Sequence, residues 1–194
     1  KVIENMCGKT YSKSFVSSLT KELDEEVKLW RNSDLSTIKY PYLIVDVVYI
    51  KVRENNRVVS KACHIAIGIN EKGNREIIGL DLSSSENEYS WSNFFEYLKS
   101  RGLSGLKMVI SDAHKGLVKA IKETFVNVIW QRCQVHFLRN ILSKAPKKNT
   151  EEFRTDIKTL FKIQDINLAR KMKDEIFLKY ENEKKFQKLL KHLR

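Results

Sequence analysis

Two aspartates in apolar surroundings are the residues of this sequence best suited to chemistry. Asp46 lies in the middle of an apolar, β-branched run over residues 40–50, and Asp112 follows a second apolar run over residues 106–110. A buried carboxylate is costly unless a partner compensates its charge, and a divalent cation is a partner that also does chemistry. Because sites in open α/β sheets form where strands end, we expect the two aspartates to share metal ions on neighbouring strands.

Each aspartate also has a structural interpretation. Asp46 could be satisfied by a buried arginine or by backbone amides. Asp112 could be only the N-cap of the helix that follows it. Composition and spacing alone leave both alternatives open.

The segments around the aspartates predict an α/β fold. Amphipathic spacing predicts a helix over residues 12–31, and an antiparallel meander of three strands follows it. Helices and strands then alternate, which is the order of a ribonuclease-H-like mixed five-stranded sheet flanked by helices. The predicted strands are Tyr42 to Val52, Val58 to Ile69, Glu76 to Leu82, Leu106 to Ile110 and Val126 to Trp130, and the later helices are Tyr89 to Ser100, Lys115 to Glu123 and Gln134 to Leu142.

The last part of the chain is predicted to be entirely helical. Asn149 and Glu152 have the spacing of a capping box, and three amphipathic segments follow. We therefore divide the chain into an N-terminal helical region (1–39), a ribonuclease-H-like core (40–145) and a C-terminal helical region (146–194). The N-terminal helix could be the last helix of a DNA-binding unit or only a brace for the core.

Composition restricts the class of protein. The net charge of the 194 residues is +12, and residues 137–194 hold 16 basic and 8 acidic residues. This excess favours a polyanionic partner, nucleic acid before membrane, although lysine-rich helices can also be merely well solvated. No apolar stretch approaches the roughly 18–20 residues needed to span a bilayer. Three cysteines at unrelated spacings indicate a reducing, intracellular setting.

Several blocks of the sequence together resemble the Mutator-like family of bacterial transposases. The resemblance covers nearly the whole chain, and the combination is far more specific than any single block. It implies a ribonuclease-H-like catalytic domain in which an Asp, Asp, Glu triad cuts and joins DNA with Mg²⁺, Mn²⁺ being a substitute. The blocks are Ser12 to Thr20, Tyr40 to Asp46, Lys51 to Arg53, Ala66 to Asn70, Trp91, Arg101 to Gly105, Ser111 to Leu117 and Trp130 to Asn140.

The resemblance assigns roles to particular residues. Asp46 matches the first catalytic, metal-binding aspartate of the family, and Asp112 matches the second. The third acid, a glutamate, is expected after the helical insertion and therefore beyond residue 194. The resemblance also implies binding to the terminal repeats of a mobile element and to target DNA, a homodimer on the DNA, no membrane, and a location in the bacterial cytoplasm at the nucleoid.

The Cys-x-x-His block formed by Cys133 and His136 is a signature that the family carries near its active site. Zinc binding is not expected, because no second pair of ligands follows at a suitable spacing. Contacts with the DNA backbone are predicted for the basic side chains interpreted as nearest to the aspartates, and for the histidine just past Asp112. These residues are Lys51, Arg53, His114, Lys115 and Arg132.

Four further aromatic or imidazole residues have a structural and a functional interpretation. Tyr89, Trp91 and Trp130 could stack on bases, but a tryptophan at the head of a helix or the end of a strand is more often part of a core. His64 is expected to be a satisfied histidine of the core or of a sheet face rather than a metal ligand.

Two functions from different classes follow from the sequence. The first is the catalytic core of a DNA transposase that cleaves strands and transfers them with Mg²⁺. The alternative is a non-catalytic DNA-binding or assembly fragment that ends before the third acid. A ribonuclease or resolvase on the same fold is disfavoured by the Cys-x-x-His block.

Overall fold

A computed structural model describes residues 12–146, 150–191 and 193. The chain divides into two compact units, each with a hydrophobic core of its own. Of the described residues, the first unit holds 12–110 and 114–130, and the second holds 111–113 together with the remainder from 131 onward.

The described residues form one five-stranded mixed sheet with the strand order β3-β2-β1-β4-β5. β1 and β2 are antiparallel, as are β2 and β3, whereas β4 runs parallel to β1. This order confirms the ribonuclease-H-like sheet predicted from the sequence. The strands are β1 (Tyr42–Glu54), β2 (Arg57–Ile69), β3 (Arg75–Ser83), β4 (Met108–Ser111) and β5 (Ile129–Arg132).

Seven helices are seen in the described part of the chain. None of them has the length and apolarity needed to cross a membrane. The helices are α1 (Lys13–Arg31), α2 (Glu88–Ser100), α3 (Lys115–Thr124), α4 (Gln134–Lys144), α5 (Glu151–Leu160), α6 (Ile166–Tyr180) and α7 (Lys184–Leu190).

Strand β1 lies in the middle of the sheet and has two different faces. Successive side chains of a strand point to opposite faces, so the odd-numbered residues of β1 lie on one face and the even-numbered residues on the other. Leu43 and Val45 are completely or almost completely buried in the core of the first unit. Ile44 and Asp46 point to the other face and are half-buried. The β-branched run therefore supports the fold on one side and presents the aspartate on the other.

The predicted turn between the first two strands is confirmed. Asn55 and Asn56 have φ angles of 48° and 60°, and they connect Glu54 to its register partner Arg57. Two consecutive residues with positive φ match the twist of an antiparallel hairpin, and asparagine tolerates this conformation better than most residues.

Helix α2 covers the core face of the sheet. Its buried residues have the spacing of one helical stripe, and Asn87 and Ser90 form a capping box at its start. Gly79 of β3 allows this contact, because a Cβ atom there would lie 2.6 Å from the Leu98 side chain. The buried residues of the stripe are Ser90, Trp91, Phe94, Phe95 and Leu98.

Two sequence predictions need correction or stay untested. The fifth strand was predicted at Val126 to Trp130, but it runs from Ile129 to Arg132, because Asn127 takes a φ of 65° and the turn after α3 continues past it. Asn149, the predicted cap of the first C-terminal helix, lies outside the described residues. Helix α5 begins at Glu151, with Thr150 at its N-cap.

The second unit is held together by an aromatic cluster. Phe153 of α5 stacks on Phe186 of α7, with ring centroids 4.4 Å apart, and meets Tyr180 of α6 edge-on. The Tyr180 hydroxyl donates to Asp156 at 2.7 Å. Burial and this hydrogen bond raise the pKa of Tyr180 to about 12. The three C-terminal helices thus share one core, as the sequence predicted.

His64 is a core histidine, as expected, and it makes stability depend on pH. Its side chain is fully buried, its Nε2 lies 3.2 Å from the Ser90 hydroxyl, and its ring packs edge-on against Trp91. Burial lowers the pKa of His64. Below about pH 6.5 the imidazole of His64 takes up a proton in the unfolded chain but resists it in the folded chain. The free energy of unfolding should therefore decrease as the pH is lowered.

The His64→Gln variant isolates this contribution, because glutamine does not titrate. Urea unfolding at about pH 7.5 and about pH 5.5 should show a loss of stability in the wild type that is larger than in the variant. Equal losses in both proteins would assign the pH dependence to other groups.

Candidate functional site

The pairing of β1 with β4 sets the positions of the two candidate aspartates. In this parallel pair, Ile44 lies opposite Ile110. Asp46 follows Ile44 by two residues, and Asp112 follows Ile110 by two residues. Asp46 thus lies within β1, whereas Asp112 directly follows β4, which ends at Ser111.

Asp46 lies in an apolar part of the sheet. Its register partner on β2 is Ile65, which is in turn opposite Leu80 of β3. The Oδ1 atom of Asp46 accepts a hydrogen bond from the Val47 amide at 2.9 Å. One element of the structural interpretation, a backbone amide, is therefore present.

Asp112 is half-buried and directly follows β4, where the Ser111 hydroxyl donates to its carbonyl oxygen at 2.7 Å. The interpretation of Asp112 as a helix cap is wrong. The N-cap of α3 is His114, whose Nδ1 accepts from the Leu117 amide at 3.4 Å. Capping the helix is therefore not what requires an aspartate at position 112.

The start of α3 is held against the start of α2. Nδ1 of His114 lies 3.5 Å from Oε1 of Glu86, and the same oxygen accepts from the Trp91 indole at 3.1 Å. A Cβ atom on Gly116 would lie 2.8 Å from the backbone nitrogen of Glu88, so only glycine allows this approach. Sequence analysis missed Glu86, and its partner His114 is 28 positions away.

The Cys-x-x-His block begins beside the end of β4. Cys133 is the N-cap of α4, and its amide donates to the carbonyl oxygen of Ser111, the residue before Asp112. His136 lies half-buried in the first turn of α4. In the described part of the chain, no group of three or more His, Cys, Asp or Glu side chains is arranged to hold a metal ion.

The basic candidates fall into two groups. Lys51 and Arg53 are exposed and lie five and seven residues beyond Asp46 on an unbroken strand, which corresponds to about 17 and about 23 Å. Lys115 is exposed at the start of α3, and the Arg132 guanidinium lies 4.4 Å from the centre of the Phe137 ring. Contact with DNA stays a prediction for all of them.

The aromatic candidates are also separated by burial. Trp91 has no exposed surface and belongs to the core, and Trp130 is partly buried against the same core. Tyr89 is 75% exposed. Of the three, only Tyr89 presents most of its ring to solvent.

The strand order and the alternation of strands with helices define the class of protein, an α/β domain with a ribonuclease-H-like sheet. The sequence profile described as "Transposase, Mutator family" matches residues 1–194. The chain belongs to the Mutator family of transposases.

Curated relatives are transposases of bacterial insertion sequences. The transposase for insertion sequence element IS256 in transposon Tn4001 of Staphylococcus aureus is 58% identical over 188 residues, which are 97% of this chain and 48% of the relative. The transposase for ISRM5 of Rhizobium meliloti is 39% identical, over 87% of this chain and 42% of the relative. This chain spans about half the length of the curated relatives it matches.

Solved structures with a similar arrangement have low sequence identity. The Drosophila P element transposase strand transfer complex is 12% identical with a TM-score of 0.36, over 74% of this chain and 43% of that one. The catalytic core domain of HTLV-2 integrase in complex with magnesium is 10% identical with a TM-score of 0.35, over 74% of this chain and 86% of that one.

Proposed function

We propose that this chain is the catalytic-core part of a DNA transposase that carries out Mg²⁺-dependent strand cleavage and strand transfer for an insertion sequence. The observation that supports the proposal is the parallel pairing of β1 with β4, because Asp46 comes two residues after the paired Ile44 and Asp112 two residues after the paired Ile110. Membership of the Mutator family supports it, because the matched relatives are insertion-sequence transposases.

Asp46 and Asp112 are the residues that would hold the metal. Carboxylate oxygens are the ligands that Mg²⁺ prefers, so the two side chains fit the ion, with Mn²⁺ as a substitute. The bound ion would supply electrostatic stabilisation of the charge that develops on the phosphate during cleavage. In the family pattern a glutamate beyond the helical insertion adds a third carboxylate.

The remaining parts of the proposal concern partners. The DNA substrates are the terminal repeats of the element and a target DNA, and a homodimer would pair the two ends in the bacterial cytoplasm at the nucleoid. His114 and Lys115 follow Asp112, Arg132 is the last residue of β5, and all three are proposed to contact phosphates. Cys133 and His136 would support the end of β4 from the start of α4.

Metal binding by the isolated chain tests this proposal. Isothermal titration with Mg²⁺ or Mn²⁺ should show binding that weakens at least about tenfold in Asp46→Asn and in Asp112→Asn. The matched control is Asp81→Asn, because Asp81 lies in the same sheet but forms an ion pair with Arg31 at 3.2 Å. The control should bind the metal as the wild type does.

A nicking assay on supercoiled DNA separates the two functions. Nicking that is lost in both variants would establish the catalytic core. Metal binding lost in both variants without any nicking by the wild type would favour the non-catalytic alternative. Variants that bind metal like the wild type would contradict the metal site itself.

A further inference from the structure

Helix α7 presents a row of three lysines to solvent, at positions 184, 188 and 191. We propose that this row binds the phosphate backbone of duplex DNA without regard to sequence. The proposal rests on the proposed function, since it adds a second DNA-contacting surface to a DNA-processing chain. It is distinct from the candidate metal site, because every residue that carries it belongs to the C-terminal helices.

The geometry places the three lysines together. Positions i, i+4 and i+7 lie on one side of a helix, and all three side chains are exposed. The opposite side of α7 is buried, since Phe186, Leu189 and Leu190 are each less than 5% exposed. One side of the helix thus anchors it, and the other is cationic.

The row has no counter-charge in the described part of the chain. No carboxylate oxygen there lies within 4.0 Å of the Lys184, Lys188 or Lys191 ammonium group. Helix α7 itself contains no acidic residue. Glu183, the N-cap residue of α7, precedes Lys184 but pairs with Lys185 at 2.9 Å, and Glu181 lines a shallow groove together with Lys191 without an ion pair to it.

Other lysines of the same helices are neutralised. Lys173 pairs with Asp174 at 3.3 Å, and Lys185 pairs with Glu183 at 2.9 Å. Lys179 contacts both Glu152 and Asp156 at 2.7 Å. These three lysines each have a carboxylate in contact, which, among the described residues, the lysines of the row do not.

This arrangement weakens α7 as an isolated helix. Like charges at i and i+4 destabilise a helix by roughly 0.2–0.5 kcal/mol per pair. A bound polyanion would relieve this repulsion.

The buried side of α7 fixes the row in place and argues against a lipid surface. Phe186 stacks on Phe153 with an interplanar angle of 17°. Helices that lie on membranes insert an apolar face beside their basic one, and the apolar residues of α7 are all used in the core. Duplex DNA needs only the charges.

Salt-dependent binding of a fluorescently labelled duplex of arbitrary sequence tests the inference. The triple variant Lys184→Gln, Lys188→Gln, Lys191→Gln should reduce the slope of log affinity against log salt by up to about 2.7, since each phosphate contact contributes about 0.9. At about 50 mM salt the triple variant should also bind the duplex more weakly than the wild type does. The matched control is Lys173→Gln, Lys179→Gln, Lys185→Gln, which removes three charges from the same helices and should change the slope much less.

Two further variants and a binding assay with lipid vesicles distinguish the possible outcomes. The triple variant Lys184→Arg, Lys188→Arg, Lys191→Arg keeps the positive charge of the row and should keep the wild-type slope. The single variant Lys188→Gln should lower the slope by about 0.9. Equal losses in the two triple variants, or no measurable binding of DNA by the wild type, would overturn the inference. So would binding to phosphatidylserine vesicles that depends on the row while DNA binding does not. The metal titration measures a different quantity at other residues, so it fails or succeeds independently.

Discussion

The Arg101→Met variant is expected to lose about 3–5 kcal/mol of its free energy of unfolding. Arg101 is 8% exposed, and its guanidinium donates to the carbonyl oxygens of Ser33 at 2.9 Å and Ile78 at 2.6 Å. It also reaches the Trp30 carbonyl at 3.3 Å, near the end of α1. Methionine keeps the length of the side chain but leaves the buried Ile78 carbonyl and the two partly buried carbonyls without this donor, at about 1–3 kcal/mol for each buried acceptor.

Chemical denaturation followed by circular dichroism measures this loss. The control is Arg31→Met, because Arg31 forms a largely exposed ion pair with Asp81 and its removal should cost at most about 1 kcal/mol. Arg101→Lys should recover only part of the stability, since one ammonium group cannot reproduce a planar fork of donors. A loss for Arg101→Met no larger than the loss for Arg31→Met would show that these hydrogen bonds contribute little.

Trp91→Ala is expected to cost about 3–5 kcal/mol, the usual range for removing a large aromatic residue from a core. The indole ring is fully buried, stacks near Phe95 at 5.6 Å and packs edge-on against His64 at 4.4 Å. Its N–H group also donates to Glu86, which would lose a buried partner. Trp91→Phe should cost less, because it keeps most of the apolar contact.

The comparison with Tyr89 separates packing from DNA contact. Tyr89 lies on the same helix but is 75% exposed, so Tyr89→Ala should change stability by less than about 0.5 kcal/mol. Thermal unfolding of the three variants measures the difference. A stable Trp91→Ala protein that binds DNA poorly would revive the base-stacking interpretation and contradict the core assignment.

The sequence predicted the sheet well because its signals were local. The apolar alternation around Asp46 predicted β1, and the Asn55-Asn56 pair predicted the hairpin turn that follows it. The fifth strand was placed too early, because Val126 and Val128 suggested a strand while the left-handed backbone of Asn127 keeps them in a turn. A positive φ at a non-glycine residue has only a weak sequence signal.

The candidate site was less predictable, because its contacts are not local. The two aspartates were found from their apolar surroundings, but only the structure showed that His114 caps α3 in place of Asp112. The position of Lys51 depends on how far β1 extends without a bend, and the contact of Glu86 with His114 joins segments that no periodicity connects. Such contacts depend on tertiary packing, which overrides local patterns.

Strand β1 has a consequence for how such a domain can evolve. Its odd residues, Leu43 and Val45, are committed to the core, whereas Ile44 and Asp46 point to the other face. Selection for folding and selection for the proposed chemistry therefore act on alternate residues of the same short segment. Substitutions on the face of Asp46 can change the proposed reactivity of the domain while the buried residues stay the same.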